Sequence, residues 1–318
     1  MEEKGFGLGC MNMTTQRQPE CTEVIHAAVD AGVTFLDTAD FYHAGESEMA
    51  VGRAIKGLQR DKLFISVKFG SLNTPGGMLY GLDVHPFRVK NYLARSLSRL
   101  GLDYIDLYVP GRIDLGIPVE ETVGAVAELV KEGYIRHVGL SQVDESTLER
   151  ASAVHKIHSV EMEYSLFNRG IEQELLPAAR RLGTGVVAFG IIAHGLLNGS
   201  CTRERLERGD YPVSMLSPLF EKGNIEQNVE LVENLREIAG EKGVTLSQLA
   251  HAWAMAKGDD ILPLIGASSK AHFEDSLKAR DITLSREDIQ RIEDAVPAGK
   301  IAGRSFRSVR FRNGAVVL

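Results

Sequence analysis

A single closed (β/α)8 barrel of the α/β class, with a C-terminal helix and tail, is the fold that this 318-residue sequence predicts. Three observations predict it. Short apolar or β-branched runs alternate with longer amphipathic segments through most of the chain; the amphipathic segments carry helix start and stop residues; and no shift in composition or Pro/Gly/Ser linker divides the sequence. Barrels of this kind reach such a length as one unit, so one domain over 1–318 is expected. Its variable parts are a loop at about 196–224 and a basic tail at about 298–318.

Eight runs read as strands: 5–10, 34–36, 64–67, 105–109, 135–139, 159–162, 185–189 and 261–264. Between them, 20–31 stops at Gly32 and 46–56 at Gly57, as helices that end on a residue free to turn left-handed do. Pro86 opens a helix to Leu100 and Pro118 another to Glu132, since proline suits a first turn whose N–H groups are unpaired anyway. Asp144 can cap 145–154, and 172–182 ends at Gly183.

Bulk properties narrow the function. Hydrophobic content of 44% and charged content of 25% are those of an ordinary globular chain, and a net charge of -7 gives no reason to expect nucleic acid. Locally, KIAGRSFRSVRFR (300–312) carries five cations and no acid; it reads first as a solvated tail, and alternatively as a flap facing substrate or phosphate. Cys10, Cys21 and Cys201 form no CxxC pair and leave an odd count, which fits a reducing compartment. With no apolar stretch of signal or membrane-spanning length, a cytoplasmic protein without a membrane partner is expected. The nine histidines show no HxxxH or HExxH spacing, so no metal is expected.

The segment FLDTADFYHAGESEMAVGRAIKG, followed by DKLFISVKFG, carries the chemistry. Asp37 follows one apolar run, Tyr42 lies in the loop beyond it, and Lys68 ends the next run. As strand, helix, strand, this places all three where parallel strands end, the face on which barrel enzymes keep their sites. A free tyrosine has a pKa of about 10, high for an acid at neutral pH, and a neighbouring ammonium favours the phenolate and brings it down. Asp37 would keep Lys68 charged and oriented. Taken singly, Tyr42 could be a packing residue, Asp37 a cap and Lys68 a surface lysine; together they fit a proton donor.

These residues resemble the aldo-keto reductase family, and the resemblance continues through GFGLGCMNM, RSLSRLGLDYIDLY, EGYIRHVGLS, EMEYSLFNRGIEQELLPAARRLG and ILPLIGASS. It implies a reductase of aldehydes or ketones that uses NADPH, NADH being the less expected, with a small-molecule carbonyl substrate. The family pattern LYYQHR reads LYVPGR here, so the usual histidine position is Gly111. Loss of one such donor costs about 10²–10³ in rate, unless the open space admits a bulkier substrate or a water. The context Arg112, Ile113, Asp114 resembles the family branch of pyridoxal reductases, which implies an aromatic or pyridoxal-like substrate.

The same resemblance assigns the cofactor contacts. Ser141 and Gln142 match residues that hold the nicotinamide carboxamide; Glu161 stands where a glutamine is usual; and Phe189 replaces a stacking tyrosine. Gly190, Ile192 and Gly195 lie in the pyrophosphate-facing loop. Ser268 and Ser269 occupy the place of a basic pair, followed by Lys270, with His272 in place of the arginine that grips the 2′-phosphate. No GxGxxG follows a strand. Trp253 falls at core spacing with Leu246 and Leu249, and His43 and His85 read as loop residues that could line the mouth. Two alternatives stay open: a nicotinamide-nucleotide-binding sensor or regulatory subunit with weak turnover, and reduction of a conjugated double bond.

Overall fold

The structure is a computed structural model and describes residues 5–210, 217–305 and 310–317. Eight strands close a parallel barrel: β1 (Gly7–Gly9), β2 (Phe35–Ala39), β3 (Phe64–Phe69), β4 (Ile105–Pro110), β5 (Ile135–Ser141), β6 (Ile157–Glu163), β7 (Gly185–Phe189) and β8 (Ile261–Gly266). Each pairs with its sequence neighbours, and β1 closes the ring between β8 and β2. This is the expected TIM barrel.

Most of the expected helix ends are also found, although Glu46–Ala54 stops short of Lys56 and Leu175–Leu182 starts after Glu172. Gln18–Asp30 gives way to Gly32 at φ 80°, and the Asp144 carboxylate accepts from Thr147 N at 2.8 Å ahead of Glu145–Val154. The segment opened by Pro86 begins as a short 3-10 turn before the helix Val89–Leu100. Several strands run further than the apolar stretch suggests. Asp37 is therefore the middle residue of β2, and Lys68 is the penultimate residue of β3, because the lumen accepts paired polar side chains.

The main core lies between the barrel and its helices. Trp253 is fully buried there, its ring 5.0 Å from that of Tyr164 and its Nε1 donating to Glu293 at 3.0 Å. A second cluster, Val187, Leu262 and Leu264 with Phe35 and Phe189, fills part of the lumen. Towards the lower end of the strands, Phe35, Phe64, His137 and His158 stack in sequence at 5.2, 5.9 and 4.2 Å. Burial pushes His158 down to about 4 and lowers His137, which suits neutral rings in a stack.

The tail departs from expectation. In the described part, Arg310–Arg312 and Ala315–Val317 form a hairpin that joins Leu79–Leu82 and Ser71–Asn73, from the loop after β3, in a four-stranded sheet. Phe311 is 1% exposed. The solvated-tail reading is thereby corrected: apolar and backbone groups of the tail have partners on the barrel, while Arg310 and Arg312 alternate outward. Gly81 permits the approach, since a Cβ there would lie 2.7 Å from the carbonyl of Gly314. The buried Asp114 carboxylate accepts from the backbone N of Gly116, Asn313 and Gly314 at 2.7, 2.7 and 2.6 Å. Of the loop at 196–224, the described residues form Arg203–Glu207 and the turn Pro218–Phe220, and Arg203 pairs with Glu230 on the helix Asn224–Glu241.

Since Asp114 satisfies three backbone donors, Asp114→Ala is expected to cost about 2–4 kcal/mol or to free the hairpin. Denaturant unfolding together with amide exchange at 310–317 checks this; unchanged protection there would mean that Asp114 does not hold the tail.

Candidate active site

Register brings the first pair together. Asp37 on β2 lies opposite Ser66 on β3, and the Ser66 hydroxyl donates to Asp37 Oδ1 at 2.9 Å. Lys68 sits two residues further up β3, on the same face, and its Nζ donates to Asp37 Oδ2 at 2.5 Å. That ammonium also reaches across the lumen to β6, where Glu161 Oε2 lies at 3.0 Å. All three are nearly inaccessible: Asp37 2%, Lys68 3% and Glu161 6%. Burial alone would lower the Lys68 pKa, but Asp37 and Glu161 overcome it and hold the pKa well above the usual range.

Tyr42 lies beyond β2 in a tightly held turn. His43 and Ala44 both adopt left-handed backbone, at φ 49° and 55°, a conformation that non-glycine residues take at a cost. The turn is pinned on both sides: Asn73 Nδ2 donates to the carbonyl of Phe41 at 2.8 Å, and Ser47 Oγ to that of Cys10 at 2.8 Å. The result places the Tyr42 ring 5.1 Å from Lys68 Nζ. Burial raises the Tyr42 pKa; Lys68 opposes it without cancelling it, and Asp37 and Glu161 add to the rise. The expected downward pull of Lys68 is present, but burial outweighs it, so at rest the phenol is protonated, the form a proton donor needs.

Glu161 is a carboxylate under strain of its own. Burial first and the nearby Asp37 second push it up to about 7, against the pull of Lys68. Beside it, Ser141 ends β5 opposite Glu161, and Gln142 turns out of the strand at φ 52° with its N–H donating to the Glu161 carbonyl at 3.0 Å. Ser141 Oγ and Gln142 Nε2 are buried without a hydrogen-bond partner among the described residues. Two such groups at one rim fit a ligand amide.

At Gly111 the structure also amends the expectation. The place where a side chain would start is tightly lined: an added Cβ would lie 3.0 Å from Phe41 Cε1, 3.2 Å from the Phe69 carbonyl and 3.3 Å from Ser71 Oγ. The Phe41 ring packs edge-on against Tyr42, with centroids 5.0 Å apart. Next to it, the half-buried Arg112 donates to the Gly111 carbonyl at 2.7 Å and lies in the field of Glu161, Tyr42 and Glu163; burial lowers its pKa.

Along β7 and beyond, Phe189 is half-buried at the strand end. Gly190 (φ 72°) and Gly195 (φ 102°) bound a loop in which Ala193 and His194 are also left-handed, and His194 Nε2 meets Glu163 Oε1 at 2.9 Å. Ile192 packs on the core. At the far end, Ser269 caps the helix Lys270–Leu277, and Ser268 Oγ meets His272 Nδ1 at 3.1 Å. Lys270 lies 3.8 Å from Glu274. Arg17, in the turn before the helix Gln18–Asp30, joins this group by donating to the Ser268 carbonyl at 2.8 Å. Sequence reading missed Arg17; the signal was the lack of an arginine at His272, which leaves charge to be sought elsewhere. His43 and His85 are exposed.

Comparison with known proteins agrees with this geometry. The Aldo/keto reductase family profile matches residues 5–297. The chain belongs to the aldo/keto reductase family. It is thus an NAD(P)H-dependent oxidoreductase that reduces carbonyl compounds. The reductase is 34% identical over 310 residues to the probable aldo-keto reductase 1 of Glycine max, covering 96% of this chain and 89% of that one. Among solved structures it resembles the glycerol dehydrogenase of Gluconobacter oxydans, at 25% identity and a TM-score of 0.81, over 91% of this chain and 90% of that one. It also resembles an aldo-keto reductase of Klebsiella pneumoniae solved in complex with NADPH, at 27% identity and a TM-score of 0.71, over 92% and 91%.

Because Phe41 occupies the space beside Gly111 in this reductase, Gly111→His is expected to lower kcat/KM for small aldehydes by about ten- to a hundredfold, through displacement of Phe41 and with it Tyr42. The double variant with Phe41→Ala should recover part of the loss. A rate increase in Gly111→His alone would show that Phe41 yields freely.

Proposed function

We propose that this reductase uses NADPH to reduce an aromatic or pyridoxal-like aldehyde or ketone to the alcohol, with Tyr42 as the proton donor. The observation that carries the reading is the buried Lys68 ammonium, fixed by two carboxylates within 5.1 Å of the Tyr42 ring. When bound, NADPH supplies the hydride. Tyr42 gives its proton to the carbonyl oxygen, Lys68 stabilises the phenolate that remains, and Asp37 keeps the ammonium charged and aimed.

The unpartnered Ser141 Oγ and Gln142 Nε2 support a carboxamide site, with Glu161 beside them and Phe189 offering an aromatic face to the nicotinamide. Gly190, Ile192 and Gly195 would border the pyrophosphate. Ser268, Ser269, Lys270 and His272, joined by Arg17, would hold the 2′-phosphate, and two or three cations there favour NADPH over NADH. The Klebsiella pneumoniae relative, solved with NADPH, supports the same choice.

On the substrate side, Phe41 offers a ring edge where the family pattern has a histidine. Arg112 has as its hydrogen bond only the neighbouring carbonyl of Gly111 among the described residues, so its guanidinium remains able to take an oxygen of the substrate. An aromatic carbonyl with an adjacent hydroxyl or phenolate oxygen fits both features.

Tyr42→Phe is expected to reduce turnover by about 10³-fold or more while leaving NADPH affinity, read by fluorescence, within about twofold. The assay is NADPH consumption across aromatic aldehydes, methylglyoxal and pyridoxal, with NADH in parallel; retained turnover in the variant would remove Tyr42 from the mechanism. Arg17→Ala should weaken NADPH about five- to twentyfold with little effect on NADH. Equal losses for both nucleotides would place Arg17 outside the 2′-phosphate site.

A further inference from the structure

We propose that Glu161 is a positioning residue for the proton transfer: by sharing Lys68 with Asp37, it sets how much of the ammonium's field reaches the Tyr42 hydroxyl. The inference rests on Tyr42 being the proton donor. Its basis is geometric. Lys68 Nζ lies 2.5 Å from Asp37 Oδ2 and 3.0 Å from Glu161 Oε2, so one buried cation faces two buried anions with the phenol alongside. Asp37 is further satisfied by Ser66, whereas Glu161 has Lys68 as its one ion-pair partner among the described residues. The second carboxylate is therefore the adjustable member.

The charged and titratable groups around Glu161 are Asp37 on β2, Lys68 on β3, Tyr42 after β2 and Arg112 after β4. Glu163, on the same face of β6, is engaged by His194 and Asn168 at 2.9 and 3.1 Å. Burial and Asp37 place the titration of Glu161 at about 7, within the working range. Below it, Glu161 is neutral, Lys68 faces Asp37 alone, and more of its field acts on Tyr42. Above it, the added negative charge makes Tyr42 a weaker acid and its phenolate a stronger base. Reduction, which needs the acid, slows as pH rises through this range; alcohol oxidation, which needs the base, quickens. A residue that merely supports the fold would move both directions the same way.

The test is single-turnover hydride transfer from about pH 6 to 8 in both directions, aldehyde with NADPH and alcohol with NADP⁺, on wild type and Glu161→Gln. Wild type is expected to lose about three- to tenfold in the reductive rate and to gain similarly in the oxidative rate across the range. Glu161→Gln, of nearly the same shape, should flatten both profiles; because Glu161 borders the carboxamide site, both rates are read at saturating nucleotide. Flat wild-type profiles, changes of the same sign in both directions, or inflections that persist in Glu161→Gln would each overturn the proposal. If Glu161→Gln does not fold, Glu161→Ala takes its place in the same comparison, and inflections that persist there overturn the proposal. Turnover retained by Tyr42→Phe would instead overturn the assignment of the proton donor.

Discussion

The Lys68 ammonium, held inside the barrel by carboxylates from two other strands, is the interaction on which the site depends. An isolated buried ammonium would shed its proton, because desolvation of a charge in protein costs several kcal/mol. Asp37 and Glu161 reverse that outcome and keep it charged. Neither could do so in an open sheet. Asp37 comes from the neighbouring strand through simple register, but Glu161 comes from β6, three strands round the ring, and reaches Lys68 only because the barrel closes. Closure of the ring thus sets one electrostatic contact across the lumen.

From that contact the surrounding geometry follows. The ammonium acts on Tyr42 only if the phenol is kept beside it, and the backbone accepts two successive left-handed non-glycine residues, His43 and Ala44, to put it there. Such a turn persists when its surroundings over-determine it. Asn73 supplies one of those restraints from the strand that begins the small sheet, and the same sheet is completed by the C-terminal hairpin. The tail, remote in sequence from Tyr42, is therefore coupled to the loop that carries it through the Ser71–Asn73 and Leu79–Leu82 pair.

Much of this was legible in the sequence, for physical reasons. Strand and helix positions are written in periodicity and in caps such as Asp144 and Gly32, which act locally. Asp37, Tyr42 and Lys68 are close in the chain and fall on consecutive elements, so their meeting needed only the βαβ unit. The Glu161–Lys68 pair did not follow from local pattern, since it requires closure of the ring. Nor did the docking of the tail: a basic run looks solvated until Asp114 is seen to accept its backbone N–H groups and Gly81 to leave room for it. Gly111 was misleading in a different way. A glycine in place of a large residue suggests open space, but space in a packed interior is shared, and the ring edge of Phe41 closes on it.

That substitution bears on how the carbonyl oxygen is met. A histidine at the end of β4 would offer a neutral donor from the strand itself; with Gly111 there, the polar groups at this edge are the Tyr42 hydroxyl, the Ser71 hydroxyl and the Arg112 guanidinium. Arg112 is half-buried, and its charge lies in the field of Glu161 and Glu163. Its hydrogen bond among the described residues is to the Gly111 carbonyl, which leaves further N–H groups of the guanidinium able to meet an oxygen. A substrate that brings an oxygen next to its carbonyl would satisfy Arg112 and lay its ring against Phe41 in the same pose, and would thereby restore through binding the orientation that a fixed histidine would otherwise impose. A small aldehyde without such an oxygen would leave the guanidinium as it was, and a preference set in this way would arise from a group the ligand satisfies.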